Sequence, residues 1–311
     1  MHGIIHRSLE SHLDGIEGHI LRDEPMDKHT SWRVGGAADL FFIPQDKVSL
    51  VQLMCQLPGN VPVYWIGLGS NLLVRDAGVE GMVICTLKGL GVLEQVKADT
   101  VYAQAGVTSA KVAKFCARHG LEGAEFLAGI PGSFGGAVAM NAGAYDGDTW
   151  SLITRIECLD RDGNLSWFNK SEIEYQYRHV NLPKQNWIVG AEIKLKPIKG
   201  LDLLRRIREL LKTRAASQPV QSANAGSVFK NPKNEYAAKL LDEAGMKGQS
   251  VGGAEFSEKH ANFIINKGEA SAADIEYLMQ LGQAEVFKQS GIQLEPEVRI
   301  IGRSESEVQH A

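Results

Sequence analysis

The segment Gly129-Ile130-Pro131-Gly132-Ser133-Phe134-Gly135-Gly136-Ala137, running on into Met140-Asn141-Ala142-Gly143-Ala144-Tyr145, sets the tightest limit on how this chain can fold. Glycines at 129, 132, 135 and 136 remove the Cβ atoms that would hold a large ligand off the backbone, and they open positive φ. Such a loop can aim several N–H groups at one anion, which makes a phosphate cradle the functional reading and a tight turn between elements the bland one. A second loop, Gly67-Leu68-Gly69-Ser70-Asn71-Leu72-Leu73, follows the apolar strand-like run Val61 to Ile66. It matches neither the dinucleotide fingerprint, which needs a third Gly before a helix, nor a P-loop, which needs Gly-Lys-Ser/Thr. A Rossmann domain is disfavoured. Two Gly- and Ser-bearing loops suit a ligand whose pyrophosphate is held from two sides.

The loops stand in a longer series: Thr30-Ser31-Trp32-Arg33-Val34-Gly35-Gly36-Ala37, the two loops, Tyr175-Gln176-Tyr177-Arg178, Ala225-Gly226-Ser227-Val228-Phe229-Lys230-Asn231-Pro232 and Leu294-Glu295-Pro296-Glu297-Val298-Arg299. In this order they resemble the UDP-N-acetylenolpyruvoylglucosamine reductase (UDP-N-acetylmuramate dehydrogenase) family, in its shorter type, over almost the whole chain. The resemblance implies an α+β fold. Its parts would be a two-part FAD-binding region of the vanillyl-alcohol-oxidase type (1–88 and 89–200) and a C-terminal α/β substrate domain (201–311) whose terminal strand returns to the active site. It also implies NADPH-dependent reduction, through bound FAD, of the enolpyruvyl ether of UDP-N-acetylglucosamine to UDP-N-acetylmuramate in peptidoglycan precursor synthesis. Catalysis then falls to Ser227, Arg178 and Glu297, and FAD binding to Gly67, Gly69, Ser70, Asn71, Leu72, Gly132, Ser133, Gly135 and Gly136. Tyr177, Lys230, Asn231 and His260 are expected to bind substrate. Where the family has a Ser two residues after the Arg, this chain reads His179-Val180.

Composition bounds the alternatives. A chain of 311 residues is too long for one modest core and should split into two or three domains. A net charge of −4, with no run of Lys and Arg, argues against a nucleic-acid partner. No signal-peptide h-region and no apolar run of about 18 residues can be found, so a cytoplasmic protein without a membrane partner is expected; a monomer is expected as well. Cys55, Cys85, Cys116 and Cys158 lack C-x-x-C spacing and read as buried free thiols, and no cluster has metal spacing.

Residues 1–28 read as an irregular, partly helical lead-in, and 29–44 as two short strands around the Gly35-Gly36 bend. Asp46 is the expected N-cap of a helix stopped by Pro58-Gly59. Strands are expected at Met82–Leu87 and Thr100–Gln104, a helix at Ser109–His119 ended by Gly120, and a hairpin across Asp160-Arg161-Asp162-Gly163. Trp187–Leu195 alternates as a strand. Beyond a boundary near Pro197–Gly200, Leu203, Leu204, Ile207, Leu210 and Leu211 line one helix face, and Tyr236–Ala244, Phe263–Asn266 and Ser271–Gln289 complete an α/β module.

The residues themselves allow the chemistry the resemblance assigns. A guanidinium grips a carboxylate through two parallel N–H bonds, so Arg178 suits an enol-like intermediate; its bland rival is a surface Arg at a strand end. Ser227 follows small residues and could donate a proton if the carbanion were very basic or if Lys230 polarised it; its rival is a turn Ser bonded to its own backbone. Glu297 could be a solvent-facing partner of Arg299, and His260 a satisfied loop His. Two other classes remain open: an FAD oxidase acting on an alcohol or hydroxy acid, and a flavin-free nucleotide-sugar binding module. A bulky residue at Gly69 or Gly135 is expected to leave a folded, colourless protein.

Overall fold

The computed structural model describes residue 13 and residues 15–304, and the chain divides into two compact units. The first comprises the described residues through Arg22, then Leu40–Gly67 and Gly81–Leu211. The second comprises Asp23–Asp39, Leu68–Glu80 and the chain from Lys212 onward. The division therefore falls inside the helix Leu203–Ser217 rather than near residue 200, and two N-terminal segments join the C-terminal unit.

The first unit holds two hydrophobic cores. One gathers Leu40, Phe42, Leu50, Leu53, Met82 and Ile84, and in it Val63 to Ile66 pair in parallel with Met82 to Cys85. Its helix Lys47–Gln56 starts where expected: Asp46 accepts from Ser49 N–H at 2.9 Å while Asp46 N–H donates to Ser49 Oγ, a capping box worth about 1 kcal/mol. The other core lies against an antiparallel sheet ordered Leu165–Asn169, Ile153–Asp160, Asn186–Lys194, Thr100–Gln104, Leu93–Lys97. Thr100–Gln104 and the middle of Asn186–Lys194 are buried on both faces, so their sequence alternation does not mark a solvent side. The polar residues in them are satisfied internally. Tyr102 donates to Glu157 at 2.6 Å, and Lys47 Nζ reaches the other carboxylate oxygen at 2.6 Å. Burial, then the Glu157 contact, pushes the Tyr102 pKa up, which keeps it a donor.

The second unit has one core, in which Trp32, Val34 and Leu73 pack with Phe229, Leu241, Phe256, Ile275 and Leu278. Trp32 is fully buried and donates its indole N–H to Ile264 O at 2.7 Å, while Asn266 Nδ2 donates to Trp32 O at 2.8 Å. Leu72–Val74 pairs parallel with Arg299–Ile301. These contacts explain why segments distant in sequence leave the first unit. The helix Ala272–Ser290 is bounded by a Ser271–Asp274 capping box and by Gly291 at φ +70°.

Several expectations change. The lead-in over residues 1–28 lies partly outside the described residues, and from Gly18 it is strand and then a 3-10 turn at Met26–His29. Residues 30–36 are loop, leaving one strand, Ala37–Pro44, where a hairpin was expected. Cys85, Cys116 and Cys158 are buried free thiols, the last two pushed up to about 12 by burial, but Cys55 is exposed. No helix among the described residues is long and apolar enough to cross a membrane.

Candidate active site

In the first unit the glycine loops meet. A Cβ on Gly67 would collide with Ser133 Oγ and lie 2.6 Å from Ser133 Cβ, so glycine is required there for the close approach. Ser133 N-caps the short helix Phe134–Ala139, its Oγ accepting from Gly136 N–H at 3.3 Å. The expected nest is narrower than its glycines imply, because Phe134 N–H donates to Val107 O at 2.6 Å and Gly135 N–H to Ala105 O at 2.9 Å. Among the described residues, the N–H groups of Gly132 and Ser133 have no acceptor. Gly136 is exposed with open space around it, its nearest neighbour to a Cβ being Ser133 Oγ at 3.4 Å. Two N–H groups without an acceptor, beside an exposed glycine, fit a phosphate.

Gly135 and Gly69 serve packing instead. A Cβ on Gly135 would sit 2.5 Å from Ala105 Cβ and 2.9 Å from its Cα. One on Gly69, at φ +65°, would strike His29 O and lie 3.0 Å from Thr30 Cα. A bulky residue at either would therefore disturb the backbone fold, which overturns the expectation of a folded, colourless variant. Gly136→Leu is the clean probe: thermal stability within a few degrees of the wild type and loss of bound yellow flavin are expected, measured by melting and by absorbance after gel filtration. A yellow Gly136→Leu protein would remove the phosphate from this loop.

Arg178 occupies the two-residue turn between the paired strands Glu174–Gln176 and His179–Asn181, at φ +54°. Its guanidinium donates to Asn141 O at 3.3 Å and Gly143 O at 3.0 Å and lies 4.9 Å from the Tyr177 ring centroid. Asn141, 5% exposed, closes the arrangement by donating to Gln176 O at 3.2 Å and accepting from Trp150 N–H at 3.0 Å. Asn141, Tyr145, Asp146 and Arg178 all hold positive φ without being glycine, a concentration of local strain of the kind found at functional sites. Asn141 was not singled out in the sequence; an Asn just past a glycine-rich helix, where left-handed backbone is tolerated, was its only signal.

The second unit assembles the C-terminal residues. Val228 O accepts from Glu297 N–H at 2.8 Å, and Lys230 N–H donates to Glu295 O at 2.9 Å, placing the Ser227–Lys230 segment alongside Glu295–Val298. Ser227 is half-buried, and among the described residues its hydroxyl has no partner, so it is not a turn Ser bonded to its own backbone. The two glutamates separate clearly. Glu295 is exposed and pairs loosely with Lys230 at 3.4 Å, whereas Glu297 is half-buried beside Val228. Asn71 donates its side-chain amide to Glu297 O at 3.0 Å and its carbonyl accepts from Arg299 N–H at 3.1 Å, so this loop residue buttresses Glu297. Leu72 is buried in the strand beside Arg299, and Ser31 N–H donates to Gly69 O at 3.1 Å. Ser70 is half-buried in the same loop.

Asn231 Oδ1 accepts from Ala237 N–H at 3.1 Å, at the start of the helix Ala237–Glu243. His260 lines a cleft of about 450 Å³ with Lys239, Lys247 and Lys259. Burial lowers its pKa from the ordinary His value. Among the described residues no group of three or more His, Cys, Asp or Glu could hold a metal ion.

Residues 38–169 match the family described as "FAD binding domain", and residues 218–301 match "UDP-N-acetylenolpyruvoylglucosamine reductase, C-terminal domain". A relative from Methylococcus capsulatus named UDP-N-acetylenolpyruvoylglucosamine reductase is 49% identical over 286 residues, covering 92% of this chain and 94% of its own. One of the same name from Nitrosococcus oceani is 46% identical over 287 residues, covering 92% and 96%. The crystal structure of UDP-N-acetylenolpyruvylglucosamine reductase from Thermus caldophilus aligns with a TM-score of 0.78 at 31% identity, covering 92% of this chain and 99% of that one. The α+β fold with its FAD-binding domain thus defines a flavin-dependent oxidoreductase. The chain belongs to the UDP-N-acetylenolpyruvoylglucosamine reductase family.

Proposed function

We propose that the chain reduces the enolpyruvyl ether of UDP-N-acetylglucosamine to UDP-N-acetylmuramate for peptidoglycan precursor synthesis, with NADPH as electron source. The observation that carries the reading is the partnerless Ser227 hydroxyl on a segment paired with that of Glu297. In this reading Gly132, Ser133 and Gly136 of the first unit face the pyrophosphate of FAD, with Gly67 making room for Ser133. Gly69, Ser70, Asn71 and Leu72 belong to the loop that continues from Gly67, and Gly135 shapes the cradle. The two cores of the first unit correspond to two flavin subdomains. Bound FAD supplies the hydride, which no side chain can.

The chain's own residues do the rest. Reduction adds hydride to the β-carbon of the enol ether and leaves negative charge that delocalises onto the carboxylate. Arg178, oriented by the carbonyls of Asn141 and Gly143, stabilises that charge, because a guanidinium held by two acceptors cannot swing away. Glu297 shares in stabilising the enol-like intermediate. Ser227 gives its proton to the α-carbon, which sets the lactyl ether. Tyr177, Lys230, Asn231 and His260 hold the UDP-sugar. His260 offers the ligand a hydrogen bond from the cleft it shares with Lys239, Lys247, Lys259, Asp242 and Glu243. The protein acts in the cytoplasm as a monomer, with no nucleic acid or membrane partner. Incubation of the FAD-loaded protein with NADPH and the enolpyruvyl UDP-sugar should yield UDP-N-acetylmuramate, one turnover per NADPH, by mass spectrometry. Turnover of alcohols or hydroxy acids with oxygen, and none of the UDP-sugar, would overturn the proposal.

A further inference from the structure

We infer that Asn262 is a positioning residue for the Ser227 proton donor, acting as a side-chain substitute for a β-strand along the Val228–Phe229 backbone. The inference rests on the reading of Ser227 above and adds what holds it. Asn262 is 3% exposed. Its Oδ1 accepts from Phe229 N–H at 3.0 Å while its Nδ2 donates to Phe229 O at 2.8 Å, so one amide satisfies both backbone groups of a single residue. Its own carbonyl accepts from Val228 N–H at 2.9 Å.

Val228 is the shared node. Its N–H is held by Asn262 and its C=O by Glu297 N–H at 2.8 Å, so the residue following Ser227 is fixed on both sides. Upstream, Gly226 at φ +78° is tied by its N–H to Asn224 Oδ1 at 2.9 Å, and a Cβ there would meet open space. The glycine is thus needed for its left-handed backbone and not for room, and the Ser227 peptide is pinned at both ends while its hydroxyl stays unengaged. Among standard side chains only the primary amides of Asn and Gln donate and accept in this in-plane manner; Asp cannot donate when ionised, and Ala does neither. Asn262 sits on the loop that also carries His260, so the clamp links the donor to the polar cluster before the strand Ile264–Asn266.

The test uses the FAD-loaded full-length protein, with two half-reactions followed separately. For Asn262→Ala, flavin reduction by NADPH is expected at the wild-type rate, and reoxidation by the enolpyruvyl UDP-sugar about a hundredfold slower, the effect of displacing a reacting group by about 1 Å. Asn262→Asp, which keeps the acceptor and loses the donor, is expected to fall between the two, about tenfold slow; if Asn262→Ala does not fold, this variant carries the test. Independently of turnover, amide hydrogen exchange in the protein without substrate should show lost protection at Val228, Phe229 and Glu297. In a Ser227→Ala background, Asn262→Ala should slow reoxidation little further, because the group it positions is gone. Equal slowing of both half-reactions, or release of flavin, would overturn positioning in favour of a general structural role. Lost protection with normal reoxidation, while Ser227→Ala is slow, would overturn positioning alone. A Ser227→Ala protein that reoxidises normally would overturn the donor reading and this inference with it.

Discussion

Ser227→Ala is expected to leave flavin reduction by NADPH at nearly the wild-type rate and to slow reoxidation by the enolpyruvyl UDP-sugar by roughly 10² to 10⁴, the loss of a positioned acid. The asymmetry follows from chemistry: electron entry needs no proton from this hydroxyl, whereas the carbanion left after hydride addition must be protonated at carbon. A hydroxyl already bonded to its own backbone would be a poor donor, and the Ser227 hydroxyl has no such bond among the described residues. Ser227→Cys, which keeps a donor of lower pKa on a larger atom, should retain part of the activity. Rapid anaerobic mixing measures both halves. If both slow together, the serine supports structure; if neither slows, the acid lies elsewhere, with Glu297 the first place to look.

Trp32→Ala should destabilise the protein by about 3–5 kcal/mol, read from the midpoint of urea unfolding, the range for deleting a buried indole. The ring is fully buried in the core of the second unit, and its N–H is bonded to Ile264 O. Removing it leaves both a cavity and an unpaired buried carbonyl. Against a typical total of about 5–15 kcal/mol, that is a large fraction of the stability. Trp32→Phe, which fills most of the cavity but cannot donate, should cost less than half as much. A Trp32→Ala shift below about 1 kcal/mol would mean that residues 23–39 are not part of this core.

What the sequence made legible were features written within one turn or one strand. Asp46 was recognisable as an N-cap because a carboxylate precedes an apolar periodic run, and Gly120 as a helix end because its positive φ suits glycine. The glycine loops announced a backbone without side chains, but the direction of each N–H did not follow from composition. Gly135 turns its N–H to Ala105, and only the partner strand determines that. Long-range pairing was equally hidden. Trp32 meets Ile264 across 232 positions, and Leu72 pairs with Arg299, because register is decided by packing and not by local pattern. In the candidate site, Ser227, Arg178 and Glu297 were picked out through resemblance, since spacing alone does not separate a proton donor from a turn hydroxyl. The roles of Asn262 and Asn141 escaped notice for a related reason: an amide that satisfies distant backbone groups looks, in one dimension, like any other polar residue.

The most direct measurement is an anaerobic titration of the purified yellow protein followed by its visible spectrum. NADPH should bleach it, and one equivalent of enolpyruvyl UDP-N-acetylglucosamine added in the absence of oxygen should restore the colour with formation of UDP-N-acetylmuramate. A bleached protein that regains colour only when air is admitted, or a protein that binds no flavin, would contradict the proposed reaction.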